Sequence, residues 1–223
     1  MLSSTISSMA TGGTDRLDGS GGGADGDGAD GDVDRRRAVV EIAARMLAED
    51  GPHGLSLRRV AAAAGGSTQL VYTLFGGKQG LADALYAEGF RRLGAAGAAA
   101  LHEAPPPGDP ERLVALGHAY RRFALAEPAF FSVMFGRAIP GFVPTRSTRR
   151  TSRAATFDHV ISTTQECLDA GTLAGRDAED LARMWWATAH GLASLEIAGL
   201  LASDDAEAFA DAALRVPVDA HRP

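Results

Sequence analysis

Apolar residues recur along this chain at the three-and-four spacing of helices buried on one side, so helices are expected throughout. Val39, Ile42, Ala43, Met46 and Leu47 form the first such stripe, with Arg36, Arg37, Glu41, Arg45 and Glu49 opposite. That helix is expected to start near Asp34, a candidate cap, and to stop at Gly51-Pro52. A second helix follows Ser56, with Leu57, Val60, Ala61 and Ala64 inward and Arg58 and Arg59 outside. Its alanines leave room for a crossing backbone, and Gly65 and Gly66 supply a turn. A third helix is expected over Thr68–Phe75, capped by Ser67. Val71 and Phe75 face inward there, while Thr68, Gln69, Tyr72 and Thr73 face out. Leu70 and Leu74 form a further stripe that reads equally well as core or as contact with thymine methyl groups.

Gly76-Gly77 breaks the chain, and a longer helix is expected from about Gln79 toward Ala100 with Leu81, Leu85 and Phe90 inward. The prolines of His102–Pro110 exclude helix and mark a linker. Beyond it the character changes from small and basic to aromatic. Glu111–Ala126 reads as a helix, and Pro128 opens another. Phe123, Phe130, Phe131, Phe135 and Phe142 place five of the nine phenylalanines within 20 residues, which either fill a core or line a cavity for an apolar ligand. Thr148–Ala170 reads as one long helix with arginines at its start, closed by Gly171 and Gly175. From Asp177 to Leu200 apolar residues cover both faces, so that helix must be covered all round. A last helix is expected over Asp204–Val216, ended by Pro217.

Composition adds a boundary. Residues 1–33 are rich in Gly, Ser and Asp without an apolar period, and are expected to be disordered. Such a tail is solvating or, alternatively, an intramolecular screen for a basic face. Residues 1–34 hold seven acids and one base, so they carry the whole net charge of −6. Between Arg35 and Arg92 stand nine bases and five acids, a local excess of four positive charges where the short helices lie. Only one of the 22 basic residues is a lysine, Lys78, just past the third helix. The single cysteine, Cys167, excludes an intrachain disulfide and reads as a small buried hydrophobe rather than a redox sensor. No apolar run is long enough to span a bilayer and the first residues lack a secretory pattern, so a cytoplasmic protein is expected.

Two helices joined by a glycine turn, the second presenting amides and hydroxyls outward, suit reading a DNA groove. Leu57, Val60, Ala61, Gly65, Ser67, Tyr72, Phe75, Lys78 and Leu81, with the run VYTLFGGK, resemble the DNA-binding segment of TetR-family transcriptional repressors. The correspondence extends upstream to Arg37 and Gly51, about 50 residues across three helices, and departs at Gly66, where the family carries a small apolar residue. The word W-A-x-x-H-G at Trp186–Gly191, with EPAFFSVMF before it, resembles the ligand-binding domain of a TetR subgroup of WHG type.

The resemblance implies an all-α chain: a tail over 1–33, a three-helix helix-turn-helix domain over 34–80, a helical-bundle ligand-binding and dimerisation domain over 81–216, and a short tail over 217–223. It implies DNA contacts from Arg37, Arg58, Ser67, Thr68, Gln69, Leu70, Tyr72, Thr73 and Lys78, the last to phosphate. It implies ligand contacts from Phe123, Phe131, Met134, Phe135, Phe157, Trp186 and His190, although His190 reads equally as a buried structural histidine. A homodimer through the last two helices, a palindromic double-stranded operator and a small-molecule effector complete the expectation, with no cofactor and no metal. An activator or a ligand-independent regulator has the same pattern. A helical enzyme is disfavoured, because no spacing sets a nucleophile beside a base.

Overall fold

A computed structural model describes residues 25–51, 55–136, 138–201 and 205–223. Residues 1–24 of the expected tail, Pro52–Gly54 of the first stop and the expected start of the last helix at Asp204 lie outside the described residues. Among the described residues there are ten helices and no strand.

The N-terminal unit is built from α1 (Asp25–Asp50), α2 (Leu57–Ala63) and α3 (Thr68–Phe75), closed by the start of α4 (Lys78–Glu103). Helix α1 begins nine residues before the expected Asp34, yet residues 31–38 are exposed and burial starts only at Val39. The apolar period therefore marked where burial begins, not where the backbone becomes helical; Asp34 pairs with Arg37 at 3.2 Å instead of capping. Val39, Val60, Val71 and Leu81 are sealed in the small core between these helices. The expected side-chain caps are absent: Ser56 and Ser67 stand at the N-cap positions but bond no backbone N–H through their hydroxyls. Backbone bonds take over, Val60 N–H to the Ser56 carbonyl and Leu70 N–H to the Ser67 carbonyl, each at 2.9 Å. Gly76 in the left-handed region ends α3.

Helix α4 runs on into the C-terminal unit, where it packs against α5 (Glu111–Ala126), α6 (Pro128–Phe135), α7 (Arg146–Ala154) and α8 (Phe157–Asp169). Helices α9 (Ala178–Ile197) and α10 (Ala206–Asp219) lie on α5, with α8 also against α9. The long helix expected over Thr148–Ala170 is two helices broken at Ala155-Thr156. The cause is remote in sequence: α4 crosses there at Gly94, where a Cβ would stand 2.3 Å from the Ala155 carbonyl oxygen. Nor does Pro217 end the last helix, which continues to Asp219. His221 anchors that end, its Nδ1 2.8 Å from the Pro217 carbonyl and its own carbonyl accepting from Ala174 N–H. Helix α9 is buried on one side only, leaving Met184, Leu195 and Ile197 exposed, as are Phe209 and Val216 on α10. A buried ion pair ties the sheath together, Arg121 of α5 to Glu196 of α9 at 2.7 and 2.8 Å.

Candidate functional site

Two sites emerge, one on the surface and one inside. On the surface, α3 turns Gln69, Tyr72 and Thr73 to solvent, with Ser67 exposed at its start and Thr68 half-buried. Tyr72 is 53 % exposed, and its ring lies over Gly77, where a Cβ would stand 3.1 Å from Cε1. Lys78 follows at the first position of α4, and Arg58 and Arg37 are exposed on α2 and α1. The face thus offers amide, hydroxyl and phenol groups flanked by cations, the set that contacts base edges and phosphates.

The open reading of Leu70 and Leu74 resolves differently for each. Leu74 is 7 % exposed and belongs to the core; Leu70 is half-buried and packs on it. Gly66 explains Leu70: a Cβ there would meet Leu70 Cδ2 at 2.7 Å, so the glycine leaves room for the leucine to lie over the turn. Arg36 of α1, although largely exposed, is tied to the end of α3. It donates to the Leu74 carbonyl and stacks 4.6 Å over the Phe75 ring, so it holds the end of α3.

The inner site is a cavity of about 480 Å³. Helix α4 supplies one wall through Tyr86, Phe90, Leu93 and the close-packed Gly94 and Gly97, and α5 adds Leu116 and Tyr120. Phe135, Phe157, Trp185 and Trp186 close the aromatic side. Arg149 and Arg153 of α7 and Glu179 and Arg183 of α9 stand on its polar side. Of the residues expected to meet a ligand, Phe135, Phe157 and Trp186 line this space. Phe123, Phe131 and Met134 are instead buried core and do not.

His190 also stands behind the wall. Its Nδ1 and the Tyr120 hydroxyl share a 2.7 Å hydrogen bond, and its ring stacks on Phe131 at 5.4 Å and lies 5.6 Å from Trp186. Burial holds the imidazole pKa below its usual value and pushes the Tyr120 phenol well above its own, so both are neutral at pH 7. His190 therefore orients Tyr120, which lines the cavity. Gly191 does not bring helices together within the chain, since a Cβ there meets nothing within 4 Å. Cys167 is fully buried, and burial pushes its thiol pKa up, which leaves it unreactive. Among the described residues no group of three or more His, Cys, Asp or Glu is placed to hold a metal, and no helix is long and apolar enough to cross a membrane.

Sequence reasoning missed the α4 wall and the cavity arginines. The signal for the arginines was present in the unpaired positive charge at the start of α7; the α4 wall had none, since a wall residue and a core residue share one apolar period.

Residues 39–85 match the family described as bacterial regulatory proteins, tetR family, and residues 113–216 match the tetracyclin repressor-like C-terminal domain. No curated protein sequence matches the chain. Among solved structures, a protein of unknown function from Rhodococcus sp. RHA1 is 33 % identical, with a TM-score of 0.74 over 85 % of this chain and 95 % of that one. A putative TetR-family transcriptional regulator from Vibrio parahaemolyticus shares the fold at 22 % identity, TM-score 0.62, over 85 % of this chain and 99 % of that one. So does the fatty acid degradation regulator FadR from Bacillus halodurans, at 15 % identity and TM-score 0.67, over 82 % and 94 %. With both halves matched in order and an exposed helix-turn-helix before a helical C-terminal domain, the chain belongs to the TetR family of transcriptional regulators.

Proposed function

We propose that this chain is a dimeric repressor that places α3 in successive major grooves of a near-palindromic operator and is released when a small molecule fills the C-terminal cavity. The observation that carries this reading is α4 itself. Its first residue, Lys78, adjoins the recognition helix, and four turns later Phe90, Leu93 and Gly94 form the cavity wall. Side-chain ties reinforce the link. Asp83 of α4 accepts from Thr145 N–H at 3.1 Å and from the Thr148 hydroxyl, and so fastens the start of α7 to the DNA-binding end. Arg92 joins Glu88 and Glu127, each at 2.9 Å, with Glu41 of α1. A ligand that displaces α7 or α4 therefore shifts α1 and α3, to the extent that it binds the two arrangements unequally.

The apolar residues left exposed on α9 and α10, together with the open flank at Gly191, support dimerisation through these two helices. Leu195→Glu is expected to yield a monomer by sedimentation, and an unchanged dimer would overturn that interface. The direct test of function is genome-wide mapping of bound DNA, followed by gel shifts on the recovered duplex. Wild type is expected to shift it and Tyr72→Ala to lose the shift while remaining folded; equal affinity of the two contradicts the assignment.

A further inference from the structure

The rim of the cavity carries more positive charge than packing requires. Helix α7 reads RSTRRTSRA, four arginines and no acid in nine residues, with cations in its first turn where the macrodipole disfavours them. Arg149 and Arg153 line the cavity together with Arg183 of α9. Glu179 is the one carboxylate among the lining residues, and it is already shared between Arg153 and Arg183, the latter at 2.8 Å. Asp180 holds Arg183 from the other side at 2.7 Å. Arg149 has no acidic partner among the described residues, so the rim keeps net positive charge beside walls of hydrocarbon and aromatic rings.

Resting on the reading of the cavity as the effector site, we infer that its ligand is an anionic amphiphile, with an apolar body among the aromatic walls and one carboxylate-type or phosphate-type head group held by Arg149 and Arg153. A guanidinium fork matches such oxygens two at a time, and its charge is not spent on any protein acid in the case of Arg149. The volume of about 480 Å³ lies in the range of small-molecule sites, and burying the body in a preformed apolar space supplies the affinity. A cationic head group meets repulsion at the same rim.

The chain carries its own reporter, since both of its tryptophans, Trp185 and Trp186, line the cavity. The full chain is titrated with dodecanoate, dodecyl phosphate, dodecylamine and methyl dodecanoate while tryptophan emission is followed. At least one of the two anions is expected to quench saturably and to bind about tenfold or more tightly than the amine and the ester. The tighter of the two anions identifies the head group. Arg149→Gln is expected to weaken that binding about tenfold. Arg150→Gln, on the same helix but not among the lining residues, is expected to leave it unchanged. Saturation by neither anion, equal binding of ester or amine, or wild-type affinity in Arg149→Gln overturns the inference. If instead a neutral compound fills the cavity and weakens operator binding, the head-group inference falls and the effector reading stands. If no compound that fills the cavity alters operator binding, the effector reading itself falls.

Discussion

The two halves of this molecule put function in opposite places. The N-terminal unit closes α1, the two short helices α2 and α3 and the start of α4 around a filled core and keeps its polar groups outside, on α3. The C-terminal unit turns large aromatic side chains inward and leaves about 480 Å³ between them. The first arrangement gives a rigid face with specified polar groups; the second gives a space that a ligand can complete. Helix α4 runs through both, and α1 also packs on α6, so on the proposed reading a difference in packing around the cavity becomes a difference in aim at α3.

The largest expected effect tests the filled core. Leu81→Ala, at a fully buried position, is expected to cost about 2–5 kcal/mol in urea unfolding. Trp186→Phe, beside the cavity and 36 % exposed, is expected to cost less than about 1.5 kcal/mol. The reverse order would erase the contrast between the two halves.

Substitutions on α3 should separate binding from stability. Tyr72→Ala is expected to weaken operator binding by about 1–3 kcal/mol while changing stability by no more than about 0.5 kcal/mol. Lys78→Ala should weaken binding to all sequences alike and flatten the salt dependence by about one unit, as one lost phosphate contact requires. A wild-type salt slope in that variant removes Lys78 from the interface.

The aromatic half should also respond to acid. The pKa of His190 is lowered in the folded state, so the unfolded chain takes up a proton first as pH falls below about 6.5 and stability drops there. The slope is bounded by about 1.4 kcal/mol per pH unit for one proton, and partial solvent access reduces it. In His190→Gln the difference in melting temperature between pH 7.5 and 5.5 should shrink; an unchanged difference would assign the acid sensitivity to other groups. The smallest effect belongs to Gly66→Ala, which pushes the flexible end of Leu70 aside and is expected to shift stability by about 0.5 kcal/mol or less.

The same contrast explains what could be read in advance. The bounds of α3 were legible to the residue because neighbours in sequence decide them: polar and apolar positions separate within one helix, and Gly76 stops it. The break at Ala155-Thr156 was not, because Gly94 on another helix causes it. Phe123, Phe131 and Met134 could not be told from Phe135 and Phe157, since core and cavity ask for the same apolar side chains and differ only in what stands opposite. Leu70 and Leu74 were ambiguous for a similar reason, until Gly66 supplied the space that one of them uses. Pro217 misled because its anchor, the contact of His221 with Ala174, is tertiary.

The claim that α4 couples cavity to groove is tested most directly by measuring operator affinity with the cavity empty and with it saturated by a compound that quenches Trp185 and Trp186. The coupling predicts that filling the cavity weakens operator binding, and that operator DNA weakens the compound by the same factor. Equal operator affinity in the two states would contradict it.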